Sequence, residues 1–145
     1  MRPRRTILTI FVMAIVATGM PACASTPDSV GLHMMAMDQL PPEVQSAPIT
    51  VRTAYQFAAA NPEVMRALPC YCGCGSIGHT SNYDCYVAGV DPNGAIRFDG
   101  HALGCSICVD ITVDAMRLLK DGRSVPEIRA YVDATYAKYG TSNME

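Results

Sequence analysis

Six cysteines hold most of the chemistry available to this chain: Cys70, Cys72, Cys74, Cys85, Cys105 and Cys108, in the pattern C-x-C-x-C, ten residues, C, nineteen residues, C-x-x-C. Two of the three histidines, His79 and His101, fall between them. Three disulfides would be the ordinary use of six cysteines in a small exported domain. Cysteines two apart close only strained rings, however. Cys70, Cys72 and Cys74 would therefore each need a separate distant partner, with only Cys85, Cys105 and Cys108 left to supply them. C-x-C steps instead suit thiolates that bridge several metal ions, because alternate residues can turn toward one centre and Gly73 removes a side chain from the path. Metal binding is the expected chemistry, with structural disulfides and thiol redox chemistry as the alternatives.

Cys105-x-x-Cys108 is a second signal, since it opens a predicted helix whose N-terminal partial charge stabilises thiolates. That setting serves a metal ligand and a redox nucleophile equally. Six thiolates and two imidazoles exceed one tetrahedral zinc site, so the expected cargo is a Cu(I)–thiolate cluster of several ions or, as the alternative, two zinc ions sharing ligands. Charge does not separate these, because two Zn(II) and four Cu(I) neutralise six thiolates to the same extent. Thiol density favours copper, and so does the stretch His33-Met34-Met35-Ala36-Met37, since thioethers keep binding Cu(I) where an exposed thiol would be oxidised. His33, Met34, Met35 and Met37 are thus accessory ligand candidates; the other reading is an apolar stretch that docks on the domain or a membrane.

The elements around these residues explain how they are delivered. Residues 1–22 read as an export signal, with Arg2, Arg4 and Arg5, an apolar run from Ile7 to about Val16, and small residues before Cys23. Met20-Pro21-Ala22-Cys23 is similar to a lipobox, which would lipidate Cys23 and anchor the protein to a bacterial membrane; cleavage after Ala24 is the rival. Loss of the three arginines lowers the formal net charge from −2 to −5, a poor balance for nucleic acid. Residues 23–48, with Pro41, Pro42 and Pro48, read as a flexible tether. A domain over 49–140 and a short tail over 141–145 follow.

Within the domain, apolar spacing predicts a helix from about Thr50 to Ala60, capped by Thr50 or Thr53. Asn61-Pro62 then starts a short helix to about Leu68, with Asn61 as cap. Residues 70–104 are glycine-rich, with a hairpin expected across Asp91-Pro92-Asn93-Gly94. Ile107, Ile111, Ala115 and Leu118 share one face of a helix over Ser106 to Lys120. Ser124-Val125-Pro126-Glu127 forms a capping box for a last helix, whose stripe runs through Val125, Ile128, Val132 and Thr135 to Tyr139. The fold class expected is mainly α: a small helical domain with a Cys/Gly-rich loop region and a short β-hairpin, stabilised by metal or disulfides. For about 95 folded residues lacking tryptophan, such a supplement to the core is needed.

Pro69-Cys70-Tyr71-Cys72-Gly73-Cys74, followed by His79, Ser81-Asn82, Asp84-Cys85 and Cys105-x-x-Cys108, resembles the PCYCGC-motif proteins. That resemblance, over roughly Ala54 to Tyr139, implies an exported protein or lipoprotein and no particular activity. Cys105 to Gly140 is similar to the helical thiol-oxidoreductase subunit of cytochrome c maturation, whose reactive pair would fall on Cys105 and Cys108. His79 and His101 are ligand candidates, Asp84 a turn or cap residue, and Tyr71 and Tyr83 packing residues over the site. With no hydrolase triad, paired carboxylates or phosphate loop, the chain is expected to be a binding protein, located outside the cytoplasm, that exchanges metal with a donor or acceptor protein.

Overall fold

Proline punctuates the N-terminal half of the fold. In the computed structural model, which describes residues 32–144, helix α1 (Pro42–Gln45) opens on Pro42, α2 (Ile49–Ala60) follows Pro48, and α3 (Pro62–Met65) opens on Pro62. A proline in the first turn loses no hydrogen bond that the helix would otherwise make. The expected signal segment and Cys23 lie outside the described residues. Neither Thr50 nor Thr53 caps α2, and the Thr53 hydroxyl donates back to the Ile49 carbonyl at 2.8 Å. Asn61 is the N-cap residue of α3, its carbonyl accepting the Met65 N–H at 3.1 Å, but its side chain serves other partners: Nδ2 donates to the Phe57 carbonyl and to the His33 carbonyl, both at 2.7 Å. Helix α3 stops three residues short of Leu68, in tighter turns.

Residues 33–48, expected to be part of a flexible tether, lie against the domain. Met35 and Gln56 exchange two hydrogen bonds, Met35 N–H to Gln56 O at 3.0 Å and Gln56 Nε2 to Met35 O at 2.7 Å. Leu40 and Val44 are buried, and Arg52 reaches the Gln45 carbonyl at 3.1 Å. Two apolar side chains one turn apart supply the burial that composition alone hid.

Strands β1 (Val87–Val90) and β2 (Ile96–Phe98) form the expected antiparallel hairpin, pairing Val87 with Phe98 and Val90 with Ile96 around a bulge at Ala88. Two short strands are not stable alone. Their base is held by helices: Tyr86, fully buried, packs edge-on against Tyr55 with ring centroids 4.9 Å apart, and the Tyr55 hydroxyl donates to Asp99 O at 2.7 Å.

Helices α4 (His101–Gly104), α5 (Ser106–Lys120) and α6 (Val125–Tyr136) complete the fold, and α5 packs against α2, α4 and α6. The buried face of α5 includes Cys108, Ile111, Thr112, Ala115 and Leu118, with Ile107 only half-buried, so the predicted stripe is rotated toward Cys108. Glu127 accepts the Ser124 N–H at 2.8 Å, completing the capping box of α6. Ile128, Val132 and Tyr136 form its buried stripe. Tyr139, expected there, is 55% exposed because the helix tightens into a 3₁₀ turn over Ala137–Tyr139. Among the described residues the architecture is mainly α with one hairpin, and no helix is long and apolar enough to cross a membrane.

Candidate metal centre

Each thiol is delivered by its own backbone device. Cys70 follows the tight turns after α3. Gly73, at φ +85°, takes a left-handed conformation that a side chain would resist, reversing the chain so that the 3₁₀ turn Cys74–Ile77 turns Cys74 inward. Cys85 ends the 3₁₀ turn Tyr83–Cys85. Asp84 Oδ2 steadies the approach to it as the expected turn residue, accepting from Thr80 N–H at 2.6 Å, Thr80 Oγ1 at 2.9 Å and Ser81 N–H at 3.1 Å. Cys105 stands at the entry to α5 and Cys108 in its first turn.

The six described cysteines are free and converge. Cys70 Sγ lies 3.3 Å from Cys108 Sγ and 3.4 Å from Cys72 Sγ, Cys72 Sγ lies 3.6 Å from Cys108 Sγ, and Cys74 Sγ lies 3.7 Å from Cys85 Sγ. A disulfide needs about 2.05 Å, whereas two thiolates on one tetrahedral zinc, each about 2.3 Å from it, sit about 3.8 Å apart. His101 Nε2 joins at 3.3 Å from Cys72 Sγ.

Four sets of ligand atoms lie within 4.8 Å of one another: Cys72, His101, Cys105 and Cys108; Cys70, Cys72 and Cys74; Cys70, Cys85 and Cys108; and Cys74, Cys85 and His101. Every member except Cys105 belongs to two sets. The sets therefore form one continuous array of seven ligands that can hold metal.

Crowding also shifts the ionisation of five of these thiols when no cation is present. Bonds from the Cys108 and Cys85 thiols hold Cys70 well below the ordinary thiol range. Around it the others are held up: Cys108 by its bond to Cys70, and Cys72 and Cys74 by burial and then by the Cys70 thiolate. For Cys85 the bond with Cys108 pulls downward, but Cys70 and burial outweigh it. A cation favours ionisation of these four, and a soft metal ion supplies one.

The array is built on the heptad Pro69–Gly75, and sequence comparison returns the same feature: residues 18–143 match the family described as proteins of unknown function with a PCYCGC motif. The chain belongs to the PCYCGC family. No curated protein and no solved structure matches it.

Around the PCYCGC heptad stands a ring of supporting residues whose part in the site sequence pattern did not reveal. The Cys108 carbonyl accepts from Tyr86 Oη at 2.9 Å, Thr112 Oγ1 at 3.0 Å and Asn82 Nδ2 at 3.3 Å, fixing the first turn of α5 against the loop. Asn143, in the expected tail, accepts the Cys70 N–H at 2.6 Å through Oδ1 and donates its own N–H to Cys70 O at 3.1 Å. Its Nδ2 reaches His79 O at 3.2 Å and Cys74 Sγ at 3.6 Å. Gly140 is the point of closest approach, where a Cβ would stand 2.8 Å from Tyr71 O. Apart from the Thr112 bond, which runs back one turn within α5, these contacts join residues distant in the chain.

The two histidines divide. His101 is in the array, while His79 belongs to none of the four sets. His79 stands behind His101, with ring centroids 5.2 Å apart, and its Nε2 is 3.6 Å from Asp99 Oδ2. Asp99 also accepts the His101 N–H at 2.7 Å through Oδ1, so one carboxylate orients both residues. Tyr71 bonds Asp133 at 2.7 Å, and Tyr83 lies 4.5 Å beneath the Arg66 guanidinium, both as buried packing residues. His33, Met34 and Met37 are exposed and Met35 is half-buried; His33 is in none of the sets.

Proposed function

We propose that this PCYCGC protein holds several Cu(I) ions in the array of Cys70, Cys72, Cys74, Cys85, Cys105, Cys108 and His101, for storage, detoxification or handover outside the cytoplasm. The observation that carries the reading is the sharing of ligands: four overlapping sets joined through common thiols exceed what one tetrahedral ion uses. Bridging thiolates and low coordination numbers are the habit of Cu(I), and softness matches sulfur to it. On this reading the protein is a binder rather than an enzyme, anchored through lipid on Cys23, with His33, Met34, Met35 and Met37 as an accessory capture stretch. A metal donor or acceptor protein completes the cycle.

Zinc is the second reading, favoured by one set: Cys72, His101, Cys105 and Cys108 offer three thiols and an imidazole within 4.8 Å, a donor set suited to a structural zinc ion. A redox role for Cys105 and Cys108 competes with the array for the same thiol, because Cys108 Sγ also stands 3.3 Å from Cys70 Sγ and 3.6 Å from Cys72 Sγ. Anaerobic Cu(I) titration of the reduced protein, followed by native mass spectrometry, is the test. Several bound ions are expected. One ion or none would end the multi-copper reading, and a single zinc that resists Cu(I) would establish the second.

A further inference from the structure

The ligand array is not evenly covered. Cys70, Cys85 and Cys108 are 0% exposed and Cys74 is 2% exposed, so the set Cys70–Cys85–Cys108 is sealed within the core. Cys72, His101 and Cys105 are half-buried, and they supply three of the four ligands in the set completed by Cys108. Cys105 belongs to that set alone, whereas the other ligands are shared. The solvent-facing set thus contains the one ligand whose release disturbs no second set.

We infer that this edge, Cys72–His101–Cys105, is where metal enters and leaves, and that its partner presents an exposed thiolate or thioether to the edge ion. The inference rests on the copper reading above. Cu(I) held by sulfur moves only to a donor of comparable softness, and an incoming ligand must reach the ion before the resident ones let go. At the sealed end no such approach exists. At the edge, a bond forms from the partner sulfur to the ion as the bonds to Cys105 Sγ and His101 Nε2 break, and the ion leaves with the partner once its bonds to Cys72 Sγ and Cys108 Sγ break too, those two thiols staying with the remaining ions. The copper stays Cu(I) throughout, and the freed Cys105 thiolate takes a proton from solvent. His101 suits this role because it is half-buried at the first position of the one-turn helix α4, where Asp99 Oδ1 accepts its backbone N–H, while Ala102 beside it anchors that helix in the core. The sealed thiols then act as a reservoir that refills the edge through the shared ligands Cys72 and Cys108.

The test uses the full chain loaded anaerobically with Cu(I) and assayed for copper content. Part of the copper is withdrawn with bathocuproine disulfonate, iodoacetamide is pulsed in, and labelled cysteines are mapped by mass spectrometry. Cys72 and Cys105 should label at least about tenfold faster than Cys70, Cys74 and Cys85. Uniform labelling, or labelling first at Cys74 and Cys85, overturns the inference while leaving the copper reading intact. A protein that holds no copper at the outset removes both. As a second measure, the Cys105→Ser variant should speed the first phase of copper release by about threefold or more, and more than it speeds the slow phase, because Cys105 belongs to the edge set alone. Release kinetics identical to the parent protein would also overturn the inference.

Discussion

Asn143 holds Cys70 by both of its backbone polar groups, accepting the N–H at 2.6 Å and donating to the carbonyl at 3.1 Å. A side chain and backbone four residues from the described C-terminal end of α6's 3₁₀ extension thereby set the first thiol of the heptad, and the same amide reaches toward Cys74 Sγ. Asn143→Ala should destabilise the metal-free protein by about 1–3 kcal/mol, from lost and unpaired hydrogen bonds. Urea unfolding measures the loss, and metal titration should show weaker binding. An unchanged midpoint would mean the tail does not clamp the loop. Gly140→Val should cost a similar amount, about 1–3 kcal/mol, since its Cβ would crowd Tyr71 O.

Cys105→Ser and Cys108→Ser separate the array from a redox pair. Because Cys105 belongs to one ligand set and Cys108 to two, the first change should reduce metal capacity least and the second should reduce it more. A thiol-transfer activity abolished equally by either change, with metal capacity intact, would favour the redox reading. Ion counting by native mass spectrometry supplies the comparison.

Metal affinity should rise with pH through the neutral range. Cys72, Cys74, Cys85 and Cys108 are held above the ordinary thiol range, so they are protonated in the metal-free protein and each entering ion must displace protons. Proton release during titration, and competition against a chelator at two pH values, should show it. Affinity independent of pH would contradict the thiol assignment.

The same four thiols govern the metal-free fold in the opposite direction. Their raised folded values mean that stability is fully present below the unfolded thiol value of about 8.5 and is lost as pH climbs above it, since the unfolded chain then binds fewer protons. Cys70, lowered, contributes stability that is present above about 8.5 and lost toward acid. Denaturation of the reduced, metal-free protein should therefore become easier above about pH 8.5, where the contribution of Cys70 is already complete and no longer changes. Greater stability there would refute the buried-thiol picture.

Tyr86→Phe should destabilise the protein by about 1 kcal/mol, because it removes one of three donors to the Cys108 carbonyl while the ring still packs on Tyr55. Metal capacity should not change. In hydrogen exchange, withdrawal of metal should loosen residues 70–85 more than α5 or α6, whose protection comes from helix packing.

What could be read without the fold was whatever is encoded within a few residues. The span of α5 follows from apolar spacing and ends where predicted; the α6 capping box lies within four residues; the hairpin follows from its turn; and the heptad announces a ligand cluster by density alone. Helical and turn preferences are local, so local sequence suffices for them. Tertiary structure decided everything that depends on chain segments meeting. It placed His101 in the array and His79 behind it, pinned residues 33–48 through Leu40 and Val44, and turned a nominal tail into a clamp on Cys70. Those outcomes arise from distant burial and single hydrogen bonds, which leave no periodic trace in the sequence.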